Sequence, residues 1–546
     1  MASNAALSSA SSAATRASSA AVRSAAATTS VAVLACALAL TLVHSPARAQ
    51  APMPTLFEEM GPALNLLGQG LPDRAPGWFD VDLDGVPDAI WAGRNGIVYL
   101  AMPDGGEPEL RSVTADPMFL ELGPRATLSL VPIDVDDDGV QELLITGRDN
   151  TLFKLTEARV LKTHKFPLPT MPGVTIFDMA VADFNADGLP DIALALAIIA
   201  SERLVRRGYP DLILMNVGSG RFESHVVEPA REGFSNGLTV ADMDGDRRPD
   251  LIESINYSHN VGASRVLLNR TPPGARVPVF EAQQYAFDTG THGMGACAAD
   301  FDQDGIVDIY NTSVGLDQLS MGLPGGGYDD QSFDRGVLHL WGDNGLRSQW
   351  SPSFEDFNLD GRLDIFIRQG GFGGLFSLDL TGPGVAGTGQ DVLYLQREDG
   401  SLARDFPPYT PVPKSTGRHA VVGDVNSDGR PDISFGGGRG SANFWLNTTP
   451  VPEGGRALTV RLSPTVSANP PTGAWIEGSC GDLSMKRILT SGGKMGGHAS
   501  FDMYFAWPEC ESEVTLTVGW PSGATTTHAV EPASTLAAIT EPEWWS

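Results

Sequence analysis

The stretch Asp80-Val-Asp-Leu-Asp-Gly-Val-Pro-Asp88 recurs through the chain, and its recurrence decides the fold. Further copies begin at Asp134, Asp183, Asp242, Asp300, Asp356 and Asp424, spaced 49 to 68 residues apart. Each reads D-x-[DN]-x-D-G-x-x-[DE]. Asn takes the third position at Asn185, Asn358 and Asn426, Glu142 takes the ninth in the second copy, and Arg247 replaces the glycine in the fourth. Seven matches at near-regular spacing indicate an array of one structural unit.

Outward from each copy the sequence reads as strand. Met294-Gly-Ala-Cys-Ala-Ala299 precedes the fifth copy, and Leu143-Leu-Ile-Thr146 and Ile192-Ala-Leu-Ala-Leu196 follow the second and third. Short apolar runs bounded by Gly and Pro are buried strands. Another run comes later in most units, as in Leu212-Ile-Leu-Met-Asn216, Arg265-Val-Leu-Leu-Asn269, Val337-Leu-His-Leu-Trp341 and Val392-Leu-Tyr-Leu395. A period near 55 residues with about four strands each predicts propeller blades, seven of them, over residues 50–447. Two Gly-rich stretches, Gly370 to Gly389 and Met321 to Asp334, are expected to be surface loops.

The motif chemistry points to calcium. Ca²⁺ takes about six to eight oxygens at about 2.3–2.6 Å, and alternating short acids in a tight turn converge to supply them. The candidate ligands are Asp80, Asp82, Asp84 and Asp88; Asp134, Asp136, Asp138 and Glu142; Asp183, Asn185, Asp187 and Asp191; Asp242, Asp244, Asp246 and Asp250; Asp300, Asp302, Asp304 and Asp308; Asp356, Asn358, Asp360 and Asp364; and Asp424, Asn426, Asp428 and Asp432. That allows up to seven Ca²⁺. Plain turns also favour Asp, Asn and Gly, but they do not require four carboxylates in nine residues, whose repulsion is costly without a cation. A dockerin or EF-hand array is the runner-up, disfavoured because position 12 of the first copy is Trp91 and the flanks are strands. The fourth loop is the weakest, since Arg247 must adopt the backbone conformation of the glycine it replaces.

Composition narrows the function classes. The formal charge is −29, which argues against nucleic acid and anionic lipid as partners. Gly (62) and Pro (39) are abundant, as a turn-rich all-β chain requires. Residues 1–49 read as an export signal: Arg16 and Arg23, an apolar run from Val31 to Val43, then Ala47-Arg48-Ala49. The run is too short to span a bilayer, so the mature chain is expected outside the cell, secreted, periplasmic or on the surface, as a monomer without a membrane anchor. Export allows Cys480 and Cys510 to pair as a disulfide. Cys297, in an apolar strand, is expected to be a buried thiol.

The segments His292-Gly-Met-Gly-Ala-Cys-Ala-Ala-Asp300 and Gly417-Arg-His-Ala-Val-Val-Gly-Asp424, with the loops they enter, resemble the FG-GAP or VCBS repeats of integrin-α-type propellers. That resemblance, over about residues 70–447, implies Ca²⁺-binding hairpins in the blades. In the tail, Ala457-Leu-Thr-Val-Arg-Leu-Ser463, Gly473-Ala-Trp-Ile476 and Val514-Thr-Leu-Thr-Val-Gly-Trp-Pro-Ser-Gly523 resemble an ASPIC/UnbV domain, as in the cartilage acidic protein group. Read from its residues, 457–546 is a small antiparallel β-domain behind a 448–456 linker.

No nucleophile elbow, zinc-binding His-Glu-x-x-His or P-loop is present. His292, Arg418 and His419 precede Asp loops on what should be innermost strands, where they would face a central channel. The chain therefore reads as an extracellular module that binds a protein or a glycan. The alternative is a Ca²⁺-dependent carbohydrate-active enzyme of lyase or hydrolase type working at that channel.

Overall fold

The computed structural model describes residues 56–543 except 61–74, 94–95, 103–107, 115–128, 147–151, 156–160, 165–173, 199–206, 230–233, 257–262, 284–286, 288–291, 338–347, 371–390, 406–417 and 437–441. The export signal and the Gly370 to Gly389 stretch, its first residue apart, lie outside the described residues. Among the described residues the fold is all-β, built of mainly antiparallel sheets with a single short helical turn at Ser332–Arg335.

Every motif copy is the hairpin connection between the first two strands of a sheet. The first strands end at Phe79, Ile133, Ala182, Ala241, Ala299, Glu355 and Gly423, one residue before the first acid. The second strands begin at Asp88, Glu142, Asp191, Asp250, Asp308, Asp364 and Asp432, the ninth position. The same acid thus closes the loop and starts the next strand. Four strands make up each sheet, and the third adds the two-residue strand Arg207–Gly208 against Asp191–Ile198. In the last one the fourth strand comes from the N-terminus: Phe57–Glu59 pairs antiparallel with Asn443–Asn447.

The first strands are buried almost throughout, as in Leu130–Ile133 and Phe234–Ala241. Those of consecutive sheets lie against each other, and Pro76–Phe79 of the first also touches His419–Gly423 of the seventh. The core runs between sheets. One cluster joins Val131, Ile133 and Val135 of the second sheet to Val181, Ile192 and Leu214 of the third. The stretch Met321 to Asp334 is not the expected loop. Gln318–Gly322 and Tyr328–Asp330 form a hairpin that completes the fifth sheet, because Gly325, Gly326 and Gly327 all adopt positive φ and let the chain reverse.

The tail is not purely antiparallel. Arg456–Ser463 pairs antiparallel with Met503–Trp507 but parallel with Leu536–Thr540. The intervening chain supplies the long crossover that a parallel pair needs. A second sheet runs in the order Leu483–Ile488, Trp475–Cys480, Val514–Gly519, Thr525–Val530. Leu458, Val460, Ile476, Phe505, Trp507, Leu516 and Trp520 fill the space between them. Cys480 and Cys510 are joined, with Cα atoms 5.7 Å apart, and Cys297 is a buried free thiol.

One tail segment leaves its own sheets. Residues 491–500, Ser-Gly-Gly-Lys-Met-Gly-Gly-His-Ala-Ser, run among the seven first strands and touch each of them. His498 N donates to Pro76 O, Leu130 N to Gly496 O, Gly493 N to Leu238 O and Ser500 N to Val422 O. Gly493 and Gly496 donate to the Asp178 carboxylate, and Ser351 Oγ donates to Lys494 O. Ser491 and Gly492 add a strand to the fourth sheet. A Cβ on Gly295 would stand 2.7 Å from Gly493 O, so the approach requires glycine there. Met495 packs with Phe177, Phe234, Met294 and Trp350. The space expected to be a channel is therefore occupied at this level by the tail.

Candidate metal centres and the face they share

The seven loops have one backbone. Their fourth residues lie at φ between 52° and 75° and their sixth at φ between 68° and 91°. Glycine is the low-strain residue for such angles. In the fourth loop Gly245 takes the fourth position and Arg247 the sixth at φ 68°, so Arg247 adopts the glycine conformation as expected.

Three carboxylates of each loop accept fixed hydrogen bonds. The first acid takes the N–H of the sixth residue, at 2.7–3.0 Å. The fifth takes the N–H of the seventh, at 2.8–3.0 Å. The ninth takes the N–H of the second, at 2.8–3.1 Å. These bonds orient the acids so that their remaining oxygens converge. Oxygens of Asp80, Asp82 and Asp88 lie within 4.8 Å of one another, as do those of Asp134, Asp136 and Glu142, of Asp242, Asp244 and Asp246, and of Asp300, Asp302 and Asp304. In the third, sixth and seventh loops the amides of Asn185, Asn358 and Asn426 donate to Asp187, Asp360 and Asp428.

The donor set fits a hard divalent cation, since it is all oxygen and several sites are buried. Asp300 Oδ1 and Asn185 Oδ1 are buried and accept no hydrogen bond, which leaves lone pairs that a cation would take up. Burial drives the ninth acids upward. Desolvation, reinforced by the neighbouring carboxylates, raises Asp88 and Asp250 to about 8 and Asp308 to about 7. Asp191, Asp364 and Asp432 are pushed well above the usual range by the same causes. A divalent ion inverts this, because its charge favours the ionised carboxylates.

Arginines also reach five of the loops. Arg111 contacts Asp82 at 2.8 Å, Arg270 contacts Asp244 and Asp246 at 2.9 and 3.0 Å, and Arg335 contacts Asp302 at 2.9 Å. Arg362 contacts Asp360 at 2.5 Å and Arg430 contacts Asp428 at 2.6 Å. They sit on the outer, partly exposed acids, so they offset charge at the rim and leave the buried ninth acid to its backbone donors.

Two further repeated devices were not apparent from the motif. The ninth acid also accepts the N–H of the residue ending the third strand: Asn216, Asn269, Gln396 and Asn447, at 2.7–2.9 Å. The side-chain amides of those residues donate to carbonyls in the loop of the preceding sheet, at Val135, Phe184, Phe301 and Phe357. Each such loop is thus tied to its neighbour. The second device is an Asp just before the third strand. Asp211, Asp317 and Asp391 accept from Leu196 N, Ser313 N and Gln369 N at 2.8–3.0 Å. The recurring Asn at the strand end was the available signal, but it stands 25, 19 or 15 residues beyond the ninth acid and so escapes a fixed pattern.

The tail covers the loops. Arg461 donates to Gly85 O in the first, Asn469 accepts from Asp134 N and Gln141 in the second, and Gly188 in the third lies against Val466 O. Arg247 of the fourth donates to Gly523 O at 2.9 Å. Gly361 of the sixth packs on Ala506 and Pro508, and Thr459 donates to Asp424 of the seventh at 2.5 Å. Residues 448–456 share in this packing. Thr448 N donates to Leu56 O, and Thr449 donates to Phe357 O at 3.1 Å.

The channel candidates do not converge on an open site. His292 is half-buried just ahead of its strand, with its N–H on Ser313 Oγ. The Arg418 guanidinium lies over the Trp350 ring at 4.8 Å. His419 is buried, and desolvation, with Arg418 and Arg368 nearby, lowers it to about 3, so it is neutral.

No family model and no curated protein matches the chain. The solved structures it is similar to are remote. A lectin of Agrocybe aegerita described as recognising non-reducing terminal N-acetylglucosamine is 15% identical, with 66% of this chain and 88% of that one covered at a TM-score of 0.40. BBS1N in complex with ARL6DN is 9% identical, covering 69% and 94% at 0.41. The Vibrio cholerae biofilm matrix protein Bap1 is 12% identical, covering 84% and 73% at 0.27.

Proposed function

We propose that the chain is a seven-bladed propeller of the FG-GAP kind with an ASPIC/UnbV-type tail, loaded with calcium and acting outside the cell as a rigid binding module for a protein or a glycan. The observation that carries this reading is the same set of three carboxylate–backbone bonds in seven loops, with the ninth acid buried each time. A repeated arrangement that costs desolvation energy without a cation implies that a cation is present when the protein works. The contacts between successive first strands, with the seventh meeting the first, support a closed ring.

Calcium suits the sites better than magnesium, because the oxygens come from a loop of mixed Asp, Asn and Glu rather than a rigid octahedron. The chain's own residues hold the geometry, and the ion supplies charge and a fixed centre for each hairpin. An ion that binds only the folded state stabilises it by about 2.7 kcal/mol per site at a hundredfold excess over Kd. The carbohydrate-active-enzyme alternative gains nothing from the described residues: segment 491–500 occupies the inner space and His419 is buried.

The test is elemental analysis of natively purified protein together with calorimetry. Calcium above four equivalents and a large fall in melting temperature on chelation are expected. Metal-free protein whose melting ignores chelator would end this reading.

A further inference from the structure

A cavity of about 530 Å³ opens between the fourth and fifth loops and the tail sheet. Its size lies within the range of about 300–1,000 Å³ typical of small-molecule sites. None of the catalytic or channel candidates lines it. Trp475 does, and its setting is unusual. A Cβ on Gly519 would stand 2.2 Å from Cε2 of the indole, so the ring lies flat across the neighbouring strand where only glycine gives room. Its other face is addressed by the Lys486 ammonium, 5.1 Å from the ring centroid, on a side chain long enough to swing aside. Trp475 is only half-buried, unlike the core tryptophans Trp78, Trp91, Trp507 and Trp520.

The rest of the wall is polar in a particular way. Gln283 Oε1 is buried and accepts no hydrogen bond. Tyr328 stands beside it, and the Gly325 to Gly327 turn offers backbone without side chains. Asp244 brings carboxylate oxygens from the fourth loop. A flat aromatic surface sharing a cleft with hydrogen-bond donors and acceptors matches a pyranose ring, which shows a C–H face and an equatorial belt of hydroxyls. Among the described residues Lys486 is the one basic side chain in the wall and already lies over the indole, so the wall offers no free cation to pair a phosphate or a uronate.

We propose that this cleft binds an uncharged sugar unit of a glycan, with Trp475 as the stacking platform and Gln283 as a hydrogen-bonding partner. The inference deepens the glycan arm of the function proposed above and rests on it. It does not require the sugar to touch a metal.

The experiment is calorimetric titration of the calcium-replete full chain with cellobiose, maltose, mannobiose and chitobiose, and with a uronate disaccharide as the charged control. At least one neutral disaccharide should bind and the uronate should not. Trp475→Ala and Gln283→Ala should each weaken binding about tenfold, the scale of a lost aromatic or hydrogen-bond contact, with unchanged calcium content. If Trp475→Ala lowers the melting temperature, Gln283→Ala decides alone. Failure of every neutral sugar to bind wild type, or wild-type affinity in the Gln283 variant, overturns the proposal. Calcium content and the chelator response of wild type are read in the same samples, so this site can fail while the metal reading stands.

Discussion

The ninth acid of each loop makes the sharpest residue-scale statement. Asp88, Asp250 and Asp308 are raised by burial and by neighbouring carboxylates, so without metal the folded protein holds protons that the unfolded chain has released. Stability must then fall as pH rises from the unfolded carboxylate range near 4 towards about 8. With calcium bound the ionised form is the favoured one, and the fall should disappear or reverse. Melting curves between pH 5 and pH 8 in chelator and in calcium check this, and parallel curves would contradict it. A second expectation concerns Asp178, which accepts backbone N–H groups from Met179, Leu238, Gly493 and Gly496. Asp178→Asn replaces an acceptor by a donor among four donors. A loss of about 2 kcal/mol is expected, together with faster proteolysis within 491–500. The acids of the loops could be read from sequence because their spacing is local. Asp178 could not, since two of its four partners, Gly493 and Gly496, are more than 300 residues away along the chain and nothing in its own neighbourhood marks it.

At the scale of the element, the hairpin is the unit that was legible. The first strand ends one residue before the motif and the second begins on its last residue, because the ninth acid serves both turn and strand. The third strand was legible as an apolar run, but its terminal amide was not, although it is what joins one sheet to the next. Asn447→Ala should show this: Nδ2 donates to Phe357 O at 3.1 Å and to Pro431 O at 3.3 Å, both inside the seventh and sixth loops' surroundings. Removing it takes a donor from both carbonyls and leaves Phe357 O to Thr449 Oγ1 alone, at a cost of about 1–3 kcal/mol by chemical denaturation, and calcium affinity should weaken in the same variant. Unchanged affinity would mean that neighbouring loops act independently. The Met321 to Asp334 segment was misread because its glycines look like loop composition, whereas their positive φ angles build a tight hairpin.

At the scale of the molecule, the tail is a lid on the loop face and also a strand-like insert among the first strands. Neither role was legible, because a run of glycines acquires meaning only from the backbones that crowd it. The two roles predict coupled behaviour. Chelation should raise hydrogen exchange in the loops and in 491–500 together, whereas exchange confined to the loops would show the tail to be docked independently of metal. The pairing of Phe57–Glu59 with Asn443–Asn447 carries one more consequence. A chain made from its N-terminus must hold that first short strand unmatched until almost the whole repeat array has been synthesised. Closing so large a span is slow relative to forming the local hairpins, and the waiting edge invites pairing with another copy. Maturation of this protein therefore has a vulnerable interval, and its yield should depend on chaperone capacity and on how crowded the compartment is with sister chains.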